Sequence, residues 1–257
     1  MKIPVLTGII RRRVLVNYRV EPEVAANLLP KEFRPRLYRG KALAGICLIR
    51  LEEVRPRGLP AMMGIASENA AHRFAVEWLD ASGSLQEGVY IVRRDTDSKL
   101  NAVAGGRLFP GTHNRARFQV RDDGLRLALK VENGDGDGPL VDIEGEEAPT
   151  LAPGSIFPSL QESSRFFETG SIGYSPSLRN RSLDGLKLVV KNWQVAPLAV
   201  AKLHSAYFDN PTLFPPDAIR FDHALVMRNI AHEWHSAPAW HKGRLETCAE
   251  APAMAPG

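Results

Sequence analysis

The chain has 257 residues, 44% of them apolar and 24% charged, with a formal net charge of +4. A chain of this size and make-up can bury a large core without disulfide or metal staples. Its arginines are spread out apart from Arg11-Arg12-Arg13, which excludes a nucleic-acid footprint. No apolar run approaches the roughly 18 residues of a membrane span, and Arg11 cuts the N-terminal apolar stretch too short for a secretory leader. A cytoplasmic protein is expected. Cys47 lies in an apolar run and reads as a small core residue, and Cys248 lies in a polar tail, so neither a disulfide nor a zinc site is expected.

Val14, Val16, Tyr18 and Val20 alternate with Leu15, Asn17 and Arg19, which predicts a half-buried strand. Strict alternation puts Arg11 and Arg13 on the face of Asn17 and Arg19. Pro22 opens a short helix and Pro30 ends it. Ala42 to Leu51 is apolar on both faces, as in a buried strand. His72 to Leu79 and Gly88 to Arg94 read as strands. Asp97 or Ser98 can cap a helix carrying Leu100, Val103, Ala104, Arg107 and Leu108 at helical spacing. A meander follows: His113 to Arg121, a turn at Asp123-Gly124, Leu125 to Glu132, a second turn, then Leu140 to Glu144. A helix runs from about Pro158 to Gly170. Leu186 to Trp193 and Val195 to Tyr207 are strands, and Ile219 to Met227 fits a strand or a helix. With no internal repeat and no linker, residues 1–247 read as one α+β domain on a large antiparallel sheet or barrel with a few short helices, and residues 248–257 as a flexible tail.

Several motifs bear on chemistry. Asn133, Asp135, Asp137, Gly138 and Glu144 match a calcium loop in spacing, but their flanks alternate as strands and the glycines suit a hairpin turn, so no metal is expected there. His232-Glu233-Trp234-His235 is one residue short of the helical spacing that sets two histidines on one metal. Asp222 and His223 are adjacent, so on a regular strand they diverge. His72 and Arg73 likewise face opposite sides, and only one of them can line a given cavity.

The segments Ile10-Arg11-Arg12-Arg13 through Tyr18-Arg19-Val20-Glu21-Pro22, Leu28-Leu29-Pro30, Ala66-Ser67-Glu68 and Gly105-Gly106-Arg107-Leu108-Phe109-Pro110 stand in an order that resembles the acetoacetate decarboxylase superfamily. The closer resemblance is to its DUF2071 (YqjF-like) branch, and it extends over about residues 8–235, with Phe221 to Arg228 similar to the family's C-terminal element. The resemblance implies a closed, cone-like barrel with a central cavity. It implies that Arg11 binds a substrate carboxylate and Glu68 moves protons. Arg73, Arg107, His113 and Asn114 complete the expected substrate site. In the decarboxylases a lysine beyond the Gly-Arg segment forms a Schiff base. Here that position falls on Asn114 and Arg115, or on Gly111 and Thr112 in the other register, and neither offers an amine. The expectation is therefore a small organic or oxo acid in the cavity, with lyase- or isomerase-like proton transfer and no cofactor. The alternative is a non-catalytic binding protein. Short apolar strand edges permit a homo-oligomer.

Overall fold

The computed structural model describes residues 4–99, 111–134, 138–177, 182–241 and 244–245. Five long strands form its main wall: β1 (Leu6–Val20), β4 (Lys41–Pro56), β5 (Ile65–Leu79), β6 (Leu85–Thr96) and β13 (Ile219–His241). They pair antiparallel in the order β6-β5-β4-β1-β13. The short strands β2 (Arg34–Pro35) and β3 (Leu37–Tyr38) add to β5 and β4. Ala42 to Ile49 is buried throughout, because both faces of this wall are covered.

Two arms connect the edges of the wall. One is the meander β7 (Asn114–Asp122), β8 (Arg126–Asn133) and β9 (Pro139–Glu147), continued by β12 (Ala196–Ser205) onto β13. The other is β10 (Ile172–Pro176) with β11 (Ser182–Val190), which pairs with the far half of β13; the short β14 (Arg244–Leu245) also pairs with β13. Both arms start from β6, and there the pairing is parallel, with β10 at Val89-Tyr90 and with β7 at Asp95-Thr96. The sheet thus forms a ring, and two of its pairings depart from the expected antiparallel pattern.

The two faces of the wall carry separate cores. Val14, Val16, Ala44, Ile46, Phe74 and Val76 pack with the meander arm. Leu15, Leu43, Cys47 and Leu225 pack with Phe157 and α2 (Leu160–Thr169). The other described α-helix, α1 (Pro22–Asn27), has Pro22 in its first turn. Ser159 caps α2, its Oγ accepting from Glu162 N–H at 3.2 Å. Ser163, Phe166 and Phe167 form the buried stripe of α2, at the i, i+3, i+4 spacing of one helical face. No helix among the described residues is long and apolar enough to cross a membrane.

Ile219 onward is strand, not helix, through His241. That removes the helical metal-site reading of residues 232–235: His232 is buried, while His235 is half-buried and bonded to Glu233 at 2.8 Å. The calcium-like segment joins β8 to β9 as a hairpin, with residues 135–137 outside the described range. Glu144 pairs opposite Ala128, five residues back along β8 from Asn133, so the two ends of the motif are far apart. No cluster of metal-ligating side chains occurs among the described residues. The expected helix over residues 97–108, with Arg107, lies almost wholly outside the described residues.

Candidate functional site

Three β-bulges decide which side chains meet on the α2 side of the wall. A bulge inserts one residue and so turns every later side chain to the other face. In β1 the inserted residue is Arg11: Ile10 pairs with Leu51 of β4, and Arg12 pairs with the next residue, Arg50. Before the bulge the even residues Leu6 and Ile10 face the α2 core; after it the odd residue Leu15 does. In β6 the inserted residue is Val92, because His72 pairs with Arg93 but Arg73 with Ile91. In β13 it is Asp222, because Asn17 pairs with His223 but Tyr18 with Phe221.

The α2 face then presents three cross-strand rows. Arg13, Ile49 and Asn69 form the first, Leu15, Cys47, Ala71 and Arg94 the second, and Asn17, Gly45, Arg73 and Ile91 the third. Gly45 is required: a Cβ there would lie 2.1 Å from the Val16 carbonyl oxygen and 3.3 Å from Asn17 Oδ1. Over these rows lies a cavity of about 120 Å³, roofed by Phe167, Leu186, Leu188, Trp193 and Trp234. A single water needs roughly 10–15 Å³ by this measure, and drug-sized ligands take roughly 300–1,000 Å³. The space suits a small organic molecule.

Its polar content is mostly guanidinium. Arg13 Nε–H donates to Cys47 Sγ at 3.2 Å, and its guanidinium lies over the Trp193 ring at 5.7 Å. Arg73 Nη2–H donates to Asn17 Oδ1 at 2.9 Å, with Phe167 beneath it at 5.2 Å. Arg94 Nε–H donates to Ser175 Oγ at 2.9 Å. Burial pulls Arg73 and Arg94 down to about 10, so both remain charged at neutral pH. Arg13 Nη1 and Arg73 Nε are buried and meet no acceptor among the described residues. His113 also lines the cavity, its Nδ1–H donating to the Gly111 carbonyl at 3.2 Å. Burial and then the nearby Arg94 push it down to about 4, so it is neutral. Gly111 has φ +91°, and a Cβ there would also strike Ser175 at 2.8 Å. Asp95 borders the cavity but pairs opposite Ala70, on the Glu68 face of the wall, where its carboxylate accepts from Arg93; burial raises it, and the bonds from Arg93 oppose the rise.

A second polar array stands behind the cavity. Asp222 Oδ2 accepts from His223 Nδ1–H at 2.6 Å and from Ser155 Oγ–H at 2.7 Å, and Oδ1 accepts from Ile156 N–H at 3.0 Å. His223 Nε2 then accepts from Ser163 Oγ–H at 2.7 Å and from Asn17 Nδ2–H at 3.4 Å. Asn17 hands the chain on to Arg73. These partners fix both the histidine tautomer and the amide orientation, because Arg73 can only donate and the Leu15 carbonyl, 3.1 Å from Asn17 Nδ2, can only accept. Carboxylate, imidazole and hydroxyl stand in the order of a nucleophilic triad. Ser163 is fully buried, however, and none of the three lines the cavity. The divergence expected of Asp222 and His223 fails because Asp222 is the inserted residue of a bulge.

Three expected site residues, Arg11, Glu68 and Asn114, stand elsewhere. Arg11, 53% exposed, points outward at its bulge and binds Glu52 at 2.8 Å and Asn229 at 2.9 Å. Glu68 is buried on the opposite face of β5 from Arg73, with Ala70, His72 and Phe74. Its carboxylate accepts from Arg12 Nη2–H at 2.7 Å. Arg12 in turn approaches Asp122, which binds Arg228, which binds Glu147. That chain of alternating charges ties the meander arm to the wall. Burial pushes the Glu68 carboxyl up, and Arg12 only partly offsets it. Arg73 and His113 line the cavity; Asn114 is exposed and donates to the Arg94 carbonyl at 3.0 Å. Arg107 lies outside the described residues. Arg13, Arg94 and Cys47 also line the cavity; no motif in the sequence singles them out, although Arg13 stands in the same arginine run as Arg11.

No curated protein matches the sequence. Among solved structures, an acetoacetate decarboxylase from Legionella pneumophila is similar with a TM-score of 0.58 and 14% identity, over 94% of this chain and 87% of that one. The enduracididine biosynthesis enzyme MppR, complexed with pyruvate, is similar with a TM-score of 0.59 and 11% identity, over 95% of this chain and 91% of that one. At such identities the likeness is one of fold. The model of the DUF2071 family, described as an uncharacterized conserved protein, matches residues 9–174. The chain therefore belongs to the DUF2071 family, on a fold similar to that of the acetoacetate decarboxylases.

Proposed function

We propose that the chain binds a small organic acid, of the size and kind of a 2-oxo acid, in the cavity under α2. The observation that carries this reading is the pair of buried guanidinium N–H groups without acceptors, Arg13 Nη1 and Arg73 Nε, beside a third arginine in a small, largely apolar space. A carboxylate supplies the missing acceptors, and apolar walls strengthen the attraction. The pyruvate held by MppR, on a similar fold, supports the choice of ligand class. Arg13 and Arg73 take the carboxylate.

Isothermal calorimetry with pyruvate is the test. Arg13→Met is expected to weaken binding roughly 10- to 150-fold, since a hydrogen bond to a charged group is worth about 1.5–3 kcal/mol. Unchanged affinity in that variant, or no binding by the native chain, removes the reading. Deuterium uptake at the pyruvate methyl group, followed by NMR, separates catalysis from binding. Exchange faster than that of free pyruvate marks an enzyme; tight binding without exchange marks a binding protein.

Borohydride reduction in the presence of acetoacetate is expected to leave the intact mass unchanged. None of the described residues lining the cavity is a lysine, and arginine does not form a Schiff base. A stable adduct on a cavity lysine would overturn this.

A further inference from the structure

We propose that Cys47 is a nucleophile of the cavity, positioned to attack the electrophilic carbon of a small carboxylate seated on Arg13 and Arg73. This rests on the anion-binding reading above and extends it to a covalent step. Cys47 occupies the middle of the second cross-strand row, and its only neighbour toward Arg94 in that row is Ala71. The methyl group of Ala71 leaves the sulfur open to the cavity that both residues line. One row away on either side stand Arg13 and Arg73, the first already donating to Sγ. The sulfur is therefore framed by guanidinium groups, and Arg73, only 4% exposed, keeps an Nε–H with no acceptor beside it. An anion placed there brings the carbon next to its carboxylate against the sulfur.

For a 2-oxo acid the step is an addition. The S–C bond forms as the carbonyl π bond opens, the oxygen takes the proton lost by the thiol, and nothing is oxidised or reduced. For a haloacid it is a displacement: the S–C bond forms, the carbon–halogen bond breaks, halide leaves, and the thiol proton goes to solvent. The second reaction is irreversible and serves as the probe.

The experiment uses the full chain carrying Cys248→Ala, so that Cys47 is the one thiol. It is treated separately with iodoacetate and with the neutral iodoacetamide, and alkylation is followed by intact mass and peptide mapping. Iodoacetate is expected to alkylate Cys47 faster by roughly tenfold or more, because a cationic cleft concentrates anions. In an ordinary exposed thiol the neutral reagent reacts at least as fast. Arg13→Met, in the same background, is expected to bring the ratio of the two rates down toward that of a free thiol. Equal rates, a faster reaction with iodoacetamide, or no alkylation at Cys47 overturns the proposal. Pyruvate calorimetry on the same preparation keeps the two claims apart. Pyruvate that binds while Cys47 shows no preference for iodoacetate leaves an anion site without a nucleophile. Preferential alkylation without pyruvate binding leaves the nucleophile and removes the 2-oxo acid reading.

Discussion

Glu68→Ala is expected to lower the folding stability by about 3–5 kcal/mol while leaving pyruvate affinity within about twofold of native. The pair it breaks is buried on both sides: the Arg12 side chain is 5% exposed and that of Glu68 10%, at 2.7 Å. Removing the carboxylate leaves a desolvated guanidinium whose remaining anion, Asp122, lies at 3.5 Å and is already bound by Arg228. The loss therefore reflects an uncompensated charge more than a lost attraction. Affinity should hold because Glu68 and the cavity lie on opposite faces of β5. Urea unfolding monitored by fluorescence reads the first quantity and calorimetry the second. A stable variant that no longer binds would return Glu68 to the site and overturn its structural role. Arg12→Met with Glu68→Leu is the companion variant. With both charges gone, the loss should be smaller than for Glu68→Ala alone.

Much of the fold is legible in the residues themselves. The meander from β7 to β9 follows from alternating leucines and two turn segments. The end of α2 follows from Gly170, and the wholly buried β4 follows from its unbroken apolar run. The candidate site is less legible because the arginine that lines the cavity, Arg13, is two residues from the one that alignment favours. Up to Ile10 the even residues of β1 face α2; the inserted Arg11 passes that face to Arg13. Nothing in the local pattern announces a one-residue insertion, since the strand has polar residues on both sides of it. The same is true of Val92, which hands Arg94 to the cavity, and of Asp222, which turns toward its neighbour His223. The place of Glu68 was legible. It is five residues from Arg73 on a strand with regular pairing to β4, and an odd separation puts the two on opposite faces.

Asp222→Ala is expected to destabilise the protein by about 3–5 kcal/mol and to weaken pyruvate binding as well. The Asp222 side chain is fully buried and accepts from His223, Ser155 and the Ile156 N–H; its removal strands all three donors. Burial works against the charge, but those three bonds prevail and hold the carboxyl below the ordinary carboxylate range. The sign of the pH dependence follows. A carboxylate depressed in the folded state contributes stability above its unfolded value of about 3.9 and loses it as pH falls through the folded value. The native chain should therefore lose stability with acidification in that range, and Asp222→Asn should show a shallower slope there. Asparagine is not a neutral replacement: its amide oxygen can accept from His223 and Ser155, setting its NH2 against the Ile156 N–H, or from Ile156 alone, but cannot accept from all three. The effect on binding runs through His223 and Asn17, which hold Arg73 by the 2.9 Å bond to its Nη2. Asn17→Ala isolates that link. It keeps Asp222, His223 and Ser163 paired, and should lower pyruvate affinity severalfold with less loss of stability than Asp222→Ala. Urea titrations between pH 7 and pH 3, with calorimetry at pH 7, check both parts. An Asn17→Ala protein with native affinity would separate the buried array from the cavity and leave it a purely structural device.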